Sequence, residues 1–194
     1  MNKIIQQYID LLLDWNKKMN LIGQSTIEDI YNRHIKDSTQ LLKFISKEEM
    51  ENSVFADFGT GAGIPGIILS ICGVKKIYLL EKSPKKCEFL YEAKKISNNN
   101  ISIINKNIFD VKDIKFDIIV SRALAPLDEL LKMIYPFFKK DSKCIFLKGK
   151  KINEEIILAQ KKFNFEYELF DSETSNEGKV VIIKKIKKLS KYSI

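Results

Sequence analysis

From residue 53 onward, short apolar runs of β character alternate with helical stretches: VFADF before PGIILSIC, KIYLLE before PKKCEFLYEAKKIS, then ISIIN, FDIIVS before LDELLKMIYPFF, and KCIFLKG before INEEIILAQKKF. Runs such as IYLL and IIV present no polar face to water, so their strands must be buried on both sides, as in a parallel sheet covered by helices. The last two runs, NFEYELF and KVVIIKKI, have no helix between them and read as an antiparallel hairpin around SETSNEGK. An α/β domain over residues 53–188 follows, with a mostly parallel seven-stranded sheet and an antiparallel C-terminal strand. Residues 1–52 read as an N-terminal helical extension. There Ile5, Tyr8, Ile9, Leu12, Leu13 and Trp15 form a broad helical stripe, and a second helix is expected over about 27–45 with Thr26 as its N-cap. Trp15 falls on the stripe and reads as core. Residues 189–194 read as a basic tail that frays.

At 194 residues the chain suits one domain with an appendage. No run approaches the roughly 18 apolar residues of a membrane span, and the acids in MNKIIQQYIDLLLDW do not suit a signal peptide. A cytoplasmic monomer without membrane contact is expected. Cys72, Cys87 and Cys144 are too scattered for a zinc site or a disulfide framework, so no metal is expected. Lys+Arg minus Asp+Glu is −1 over residues 1–52, +2 over 53–130 and +7 over 131–194. Such asymmetry fits either a polyanionic partner or a solvated lysine face. Against 31 lysines stand only two arginines, Arg33 and Arg122. In so lysine-rich a chain, an arginine marks a place where a planar fork of donors does what a point charge cannot.

The stretch DFGTGAGIPG, residues 57–66, follows the first strand of the α/β region. Its Gly61, Gly63 and Gly66 also satisfy the dinucleotide spacing G-x-G-x-x-G, a weak pattern alone. Pro65 separates the two readings: lacking an N–H, it belongs in a first helical turn, which delays helix entry to about residues 64–66 and leaves Gly59 to Gly63 as a loop. Asp57 ends the strand where its carboxylate can brace the loop amides. Glu81 ends the next strand, placed to bind two ribose hydroxyls with its two oxygens. The combination of D-x-G-x-G-x-G with an acid at the second strand end is the signature of Rossmann-like S-adenosylmethionine (SAM) methyltransferases. After the third strand, KNIFD could frame an adenine with the backbone amides of Asn107 and Ile108. The fourth strand ends in Ser121-Arg122-Ala123.

Together, DFGTGAGIPGI, LLEKSPKKCEFL, VSRALAPL, FLKGK and the upstream NLI and RHIKDS closely resemble the bacterial small-subunit rRNA guanine-N7 methyltransferases, the RsmG or GidB family. The resemblance runs from about Trp15 to Ile186. It implies the SAM-dependent methyltransferase fold and methyl transfer to N7 of guanine 527 in 16S rRNA, on the free RNA or within the small subunit. Position by position it implies cofactor contacts at Gly59, Ile64, Asn107, Ile108 and Arg122. Relatives often carry an acid where this chain has Ile108, so a contact there has to come from backbone.

Guanine N7 carries an exposed lone pair, so methylating it requires no deprotonation. That chemistry suits a chain with a single histidine and no evident acid/base pair. Arg33, His34 and Lys148 are candidates for holding phosphate or the guanine edge, with His34 reading equally as a helix-surface or cap residue. Two other functions remain open on the residues alone: a methyltransferase for a small molecule or protein, and a non-catalytic SAM-binding RNA module.

Overall fold

The computed structural model describes residues 3–189. Its strands are β1 (Phe55–Phe58), β2 (Lys76–Leu80), β3 (Asn100–Ile104), β4 (Phe116–Arg122), β5 (Phe138–Lys148), β6 (Phe163–Asp171) and β7 (Lys179–Lys188). They form one seven-stranded sheet in the order β3-β2-β1-β4-β5-β7-β6. The first five run parallel, and β7 lies antiparallel between β5 and β6. This is the sheet that the alternating runs predict. From β1 the chain moves outward to β2 and β3, then returns to place β4 on the other side of β1. The crevice at that reversal, at the strand C-termini, is where open α/β sheets take ligands.

Two apolar layers cover the sheet. One joins Tyr8, Ile9 and Leu12 of α1 (Lys3–Asn16) to Ile67 of α4 (Gly66–Ile71) and to Phe89 and Leu90 of α5 (Pro84–Ala93). The other joins Phe58 and Phe116 to Leu130 and Leu131 of α6 (Leu127–Ile134) and Ile156 of α7 (Ile152–Gln160). The N-terminal extension therefore shares a core with the sheet. Trp15 packs edge-on against Phe89 at 5.8 Å, which places it in that core. α1 stops at Asn16, whose Oδ1 accepts from the N–H groups of Leu21 and Ile22 at 2.8 and 3.0 Å. Ser46 and Glu49 close a capping box at the start of α3 (Lys47–Asn52). Cys87 and Cys144 are buried thiols and Cys72 is half-buried. Among the described residues no helix is long and apolar enough to cross a membrane. Residues 190–194 of the basic tail lie outside the described residues.

The second helix differs from its expected form. In place of one helix from a Thr26 cap, a 3-10 turn spans Gln24–Thr26, a π-helical stretch Tyr31–Lys36, one α-turn α2 Asp37–Thr39, and a further 3-10 stretch Gln40–Phe44. The reason lies in what the polar side chains contact. Thr26 Oγ1 donates to Gly23 O and meets the His34 ring, so it is not free to cap. The Asp37 N–H reaches back five residues to Asn32 O, while Arg33 O accepts from a side chain of the sheet.

Tyr8 ties α1 to the loop after β1: its ring is fully buried and its hydroxyl donates to Ala62 O at 2.7 Å. Tyr8→Phe leaves that carbonyl unsatisfied, so urea unfolding should show a loss of ~1–3 kcal/mol with an unchanged denaturant slope.

Candidate functional site

Asp57 anchors the glycine loop. Its Oδ2 accepts from Thr60 Oγ1 at 2.5 Å and from the Gly66 N–H at 2.8 Å, so one carboxylate oxygen pins both the start of the loop and the helix it feeds. Oδ1 is, among the described residues, the single buried side-chain nitrogen or oxygen without a partner. Burial pushes the Asp57 carboxyl up to about 6, against the opposing effect of the Thr60 and Gly66 hydrogen bonds and the nearby Arg122 charge. At the end of β2, Glu81 Oε2 accepts from the Gly61 N–H at 3.1 Å and Oε1 from the Ser83 N–H at 2.8 Å. Each oxygen keeps a second lone pair.

Two glycines of the loop are demanded for different reasons. Gly61 has φ +56° and faces open space, since a Cβ there would meet nothing nearer than Gly59 O at 4.0 Å. At Gly66 a Cβ would lie 2.4 Å from Leu79 Cδ2 and 2.9 Å from Asp57 Oδ2, so the helix can approach the sheet only without a side chain.

Beside this loop the strand C-termini open into a cleft of about 1040 Å³. Its floor includes Gly59, Gly61 and Ala123 to Pro126; the N-terminal extension and the β6–β7 turn supply its walls. Arg122 joins these parts. Its Nη1 donates to Arg33 O at 2.9 Å and to Asp37 Oδ2 at 3.2 Å, and its Nη2 donates to His34 Nδ1 at 2.9 Å. Because a guanidinium only donates, His34 Nδ1 must accept, so the proton sits on Nε2 and is given to Thr26 Oγ1 at 2.8 Å. Burial, Arg122 and Arg33 push His34 down to about 4, so the ring is neutral at physiological pH. On its other side, Asp37 Oδ1 accepts from Thr174 Oγ1 at 2.7 Å and from Gln40 Nε2 at 2.9 Å, which fastens the β6–β7 turn to the extension.

The expected residues fall into three groups and one lysine that stands apart. Asp57, Gly59, Gly61, Gly63, Ile64 and Glu81 come together around the loop, and Arg33, His34 and Arg122 around the cleft wall. Arg33 is exposed at the cleft, and its guanidinium makes no hydrogen bond or ion pair among the described residues. Asn107 and Ile108 sit on the turn after β3, outside the cleft lining, where Asn107 caps a short turn by accepting from the Phe109 N–H. Lys148 requires a correction. Only 7% of its side chain is exposed, and its ammonium is held by Ala125 O at 2.8 Å and Glu155 Oε2 at 2.5 Å. A point charge so enclosed does not reach out to phosphate; it fastens the loop after β4 to α7, where Glu155 also accepts from the Leu127 N–H. Sequence reasoning missed Asp37, Gln40 and Thr174. Asp37 lies inside the RHIKDS motif, a signal that was present, whereas nothing local marks Thr174.

A ligand carrying a ribose diol fits this donor and acceptor set: free lone pairs on Glu81 and an open backbone at Gly61, on a loop whose shape Asp57 holds. The fold and loop define the class, a Rossmann-like SAM-dependent methyltransferase. Solved structures agree at the level of fold. A ribosomal protein L11 methylase from Lactobacillus delbrueckii subsp. bulgaricus aligns with TM-score 0.60 at 19% identity over 79% of this chain and 77% of its own. The M. jannaschii TYW2 in complex with AdoMet aligns with TM-score 0.57 at 22% identity over 89% and 80%. A family model described as rRNA small subunit methyltransferase G (GidB) matches residues 1–181. The ribosomal RNA small subunit methyltransferase G of Rickettsia felis is 40% identical over 92% of this chain and 91% of its own length. That of Paramagnetospirillum magneticum is 34% identical over 94% and 87%. The chain belongs to the rRNA small subunit methyltransferase G family.

The two glycines separate folding from binding. Gly66→Ala should lower the unfolding free energy by ~2 kcal/mol or more through overpacking. Gly61→Val should keep the fold at a cost near 1–2 kcal/mol for the left-handed backbone, yet abolish SAM binding in calorimetry.

His34 makes stability pH-dependent in a defined direction. Its folded value, about 4, lies below the ordinary 6.5, so its contribution is full above 6.5 and is lost as pH falls from 6.5 toward 4. Asp57 acts oppositely: its raised value means stability is lost as pH rises from 3.8 to about 6. Comparing the chain with His34→Gln cancels the Asp57 contribution. The stability advantage of the parent should be constant above about pH 7 and shrink below 6.5.

Proposed function

We propose that this chain transfers the methyl group of SAM to N7 of one guanine of 16S rRNA, guanine 527 by its resemblance to the family, acting as a cytoplasmic monomer on the RNA or the small subunit. The observation that carries the reading is the state of the titratable groups enclosed in the cleft walls. His34 has both ring nitrogens engaged, Asp37 both oxygens, and Glu155 is bound to Lys148. None is poised as a base, which matches an acceptor whose lone pair is already free. At the cleft, Arg33 and Lys86 offer positive charge without a partner among the described residues, which favours a polyanion over a small apolar acceptor.

SAM, when bound, supplies an electrophilic methyl on a sulfonium centre. In this reading Gly59, Gly61, Gly63 and Ile64 let it approach backbone, and Glu81 accepts from its ribose hydroxyls. Asn107 and Ile108 frame its adenine with backbone amides. Asp57 holds the loop in shape, and Arg122 contacts the cofactor from the cleft wall that it braces. The chain's part in rate is then proximity and orientation in a pocket that excludes water. Residues 53–188 form the methyltransferase domain, and residues 1–52 carry Arg33 to the acceptor side.

Mass mapping of 16S rRNA from cells with and without this protein tests the reading: one guanine should lose a methyl group in its absence, and an unchanged methylation map would contradict it. Methylating N7 releases no proton, so the single-turnover rate should stay nearly flat from about pH 6.5 to 9. A rate rising tenfold per pH unit would indicate a base and a different acceptor atom.

A further inference from the structure

The net charge points to the C-terminal third as the basic region, yet many lysines there are paired with acids: Lys139 with Asp117, Lys162 with Asp128, Lys179 with Asp171, Lys184 with Glu168 and Lys185 with Glu166. In the middle third Lys75 and Lys95 pair likewise with Glu51 and Glu92, but a cluster at the ends of β2 and β3 does not. Lys82, Lys85 and Lys106 are exposed and, among the described residues, make no ion pair or hydrogen bond through their side chains. Lys82 and Lys85 flank the start of α5, whose first turn holds no acid. Cations at a helix N-terminus oppose the macrodipole, so this placement weakens the helix unless an anion lies over it. The turn carrying Lys106 is fastened alongside: Asn105 Nδ2 donates to Glu81 O at 3.0 Å, and the Glu81 N–H donates to Ile104 O at 3.1 Å. In that same turn Phe109 is 60% exposed, an apolar ring held in water. All of these residues lie at the C-terminal ends of β2 and β3, on the side of the sheet where the cleft opens, and Lys86 of α5 lines the cleft itself.

We propose that Lys82, Lys85 and Lys106, with Phe109, form the track for the unpaired rRNA segment that flanks the target nucleotide, the lysines contacting successive phosphates and Phe109 stacking under a base. Lysines without acids supply the sequence-independent attraction to phosphate, and an exposed aromatic face accepts any base by stacking. A rigid aromatic beside unpaired cations is the composition of a single-strand platform, whereas a merely solvated face has no use for the ring. The inference rests on rRNA being the substrate and adds where the RNA lies.

The test is binding of a 16S rRNA fragment containing the target guanine and its flanks, followed by fluorescence anisotropy over a range of salt. Lys82→Ala/Lys85→Ala/Lys106→Ala should weaken binding by about tenfold or more and lower the slope of log affinity against log salt by roughly 2, since each lost phosphate contact removes about 0.7. SAM affinity and melting temperature should match the parent. Phe109→Leu should weaken RNA binding and leave the slope unchanged. Lys140→Ala/Lys187→Ala/Lys188→Ala removes the same charge at the opposite end of the sheet and should bind as the parent does. The proposal is overturned if the first triple variant keeps the parent's affinity and slope, or if the control triple loses as much. In either case salt-dependent binding by the parent would leave the rRNA reading standing. Absence of salt-dependent binding by the parent would remove both.

Discussion

The arrangement of the cleft depends on the guanidinium of Arg122. It projects from the end of β4 and gives hydrogen bonds to a carbonyl, a carboxylate and an imidazole of one short segment, at Arg33, Asp37 and His34. Its side chain is 23% exposed and that of Asp37 17%, so the pair is partly shielded from water and breaking it strands a charge. Only a planar fork can reach three acceptors at once in fixed directions, which accounts for an arginine in a chain of 31 lysines. Through Asp37 the same hub holds Thr174 of the β6–β7 turn. The extension, the sheet and the C-terminal hairpin thus meet at one ionic junction.

Asp57 and Glu81 do for the glycine loop what Arg122 does for the cleft wall. Each carboxylate receives backbone amides of the loop or its flanks, and so the loop's shape is set before a ligand arrives. Pre-formed geometry matters for a reaction that gains its rate from placing an electrophilic methyl against a lone pair. Keeping Asp57 buried with one oxygen unpartnered among the described residues is costly in a dry interior.

Most of the sheet was legible because buried parallel strands announce themselves as unbroken apolar runs. The glycine loop was legible because Pro65 fixes where α4 can begin. The extension was harder to read. Its periodicity was compatible with one regular helix, and nothing in residues 27–45 signals that Arg122 would draw out the Arg33 carbonyl and break the turn pattern. Lys148 misled for a related reason: a lysine in a glycine-flanked turn looks exposed, and its burial depends on Glu155, a partner on a helix that local sequence does not place beside it. The charge count by itself does not locate a surface, since net charge ignores which lysines already face acids. In each case the missing information was a tertiary contact between segments distant in sequence.

A double-mutant cycle in urea unfolding between Arg122→Met and Asp37→Asn tests the junction most directly. If Arg122 fastens the extension to the end of β4, the two losses should fall short of additive by at least ~1 kcal/mol, as expected for residues sharing one hydrogen-bonded ion pair. Additivity to within ~0.3 kcal/mol would mean the two side chains act independently, and the junction would not be what holds the cleft wall in place.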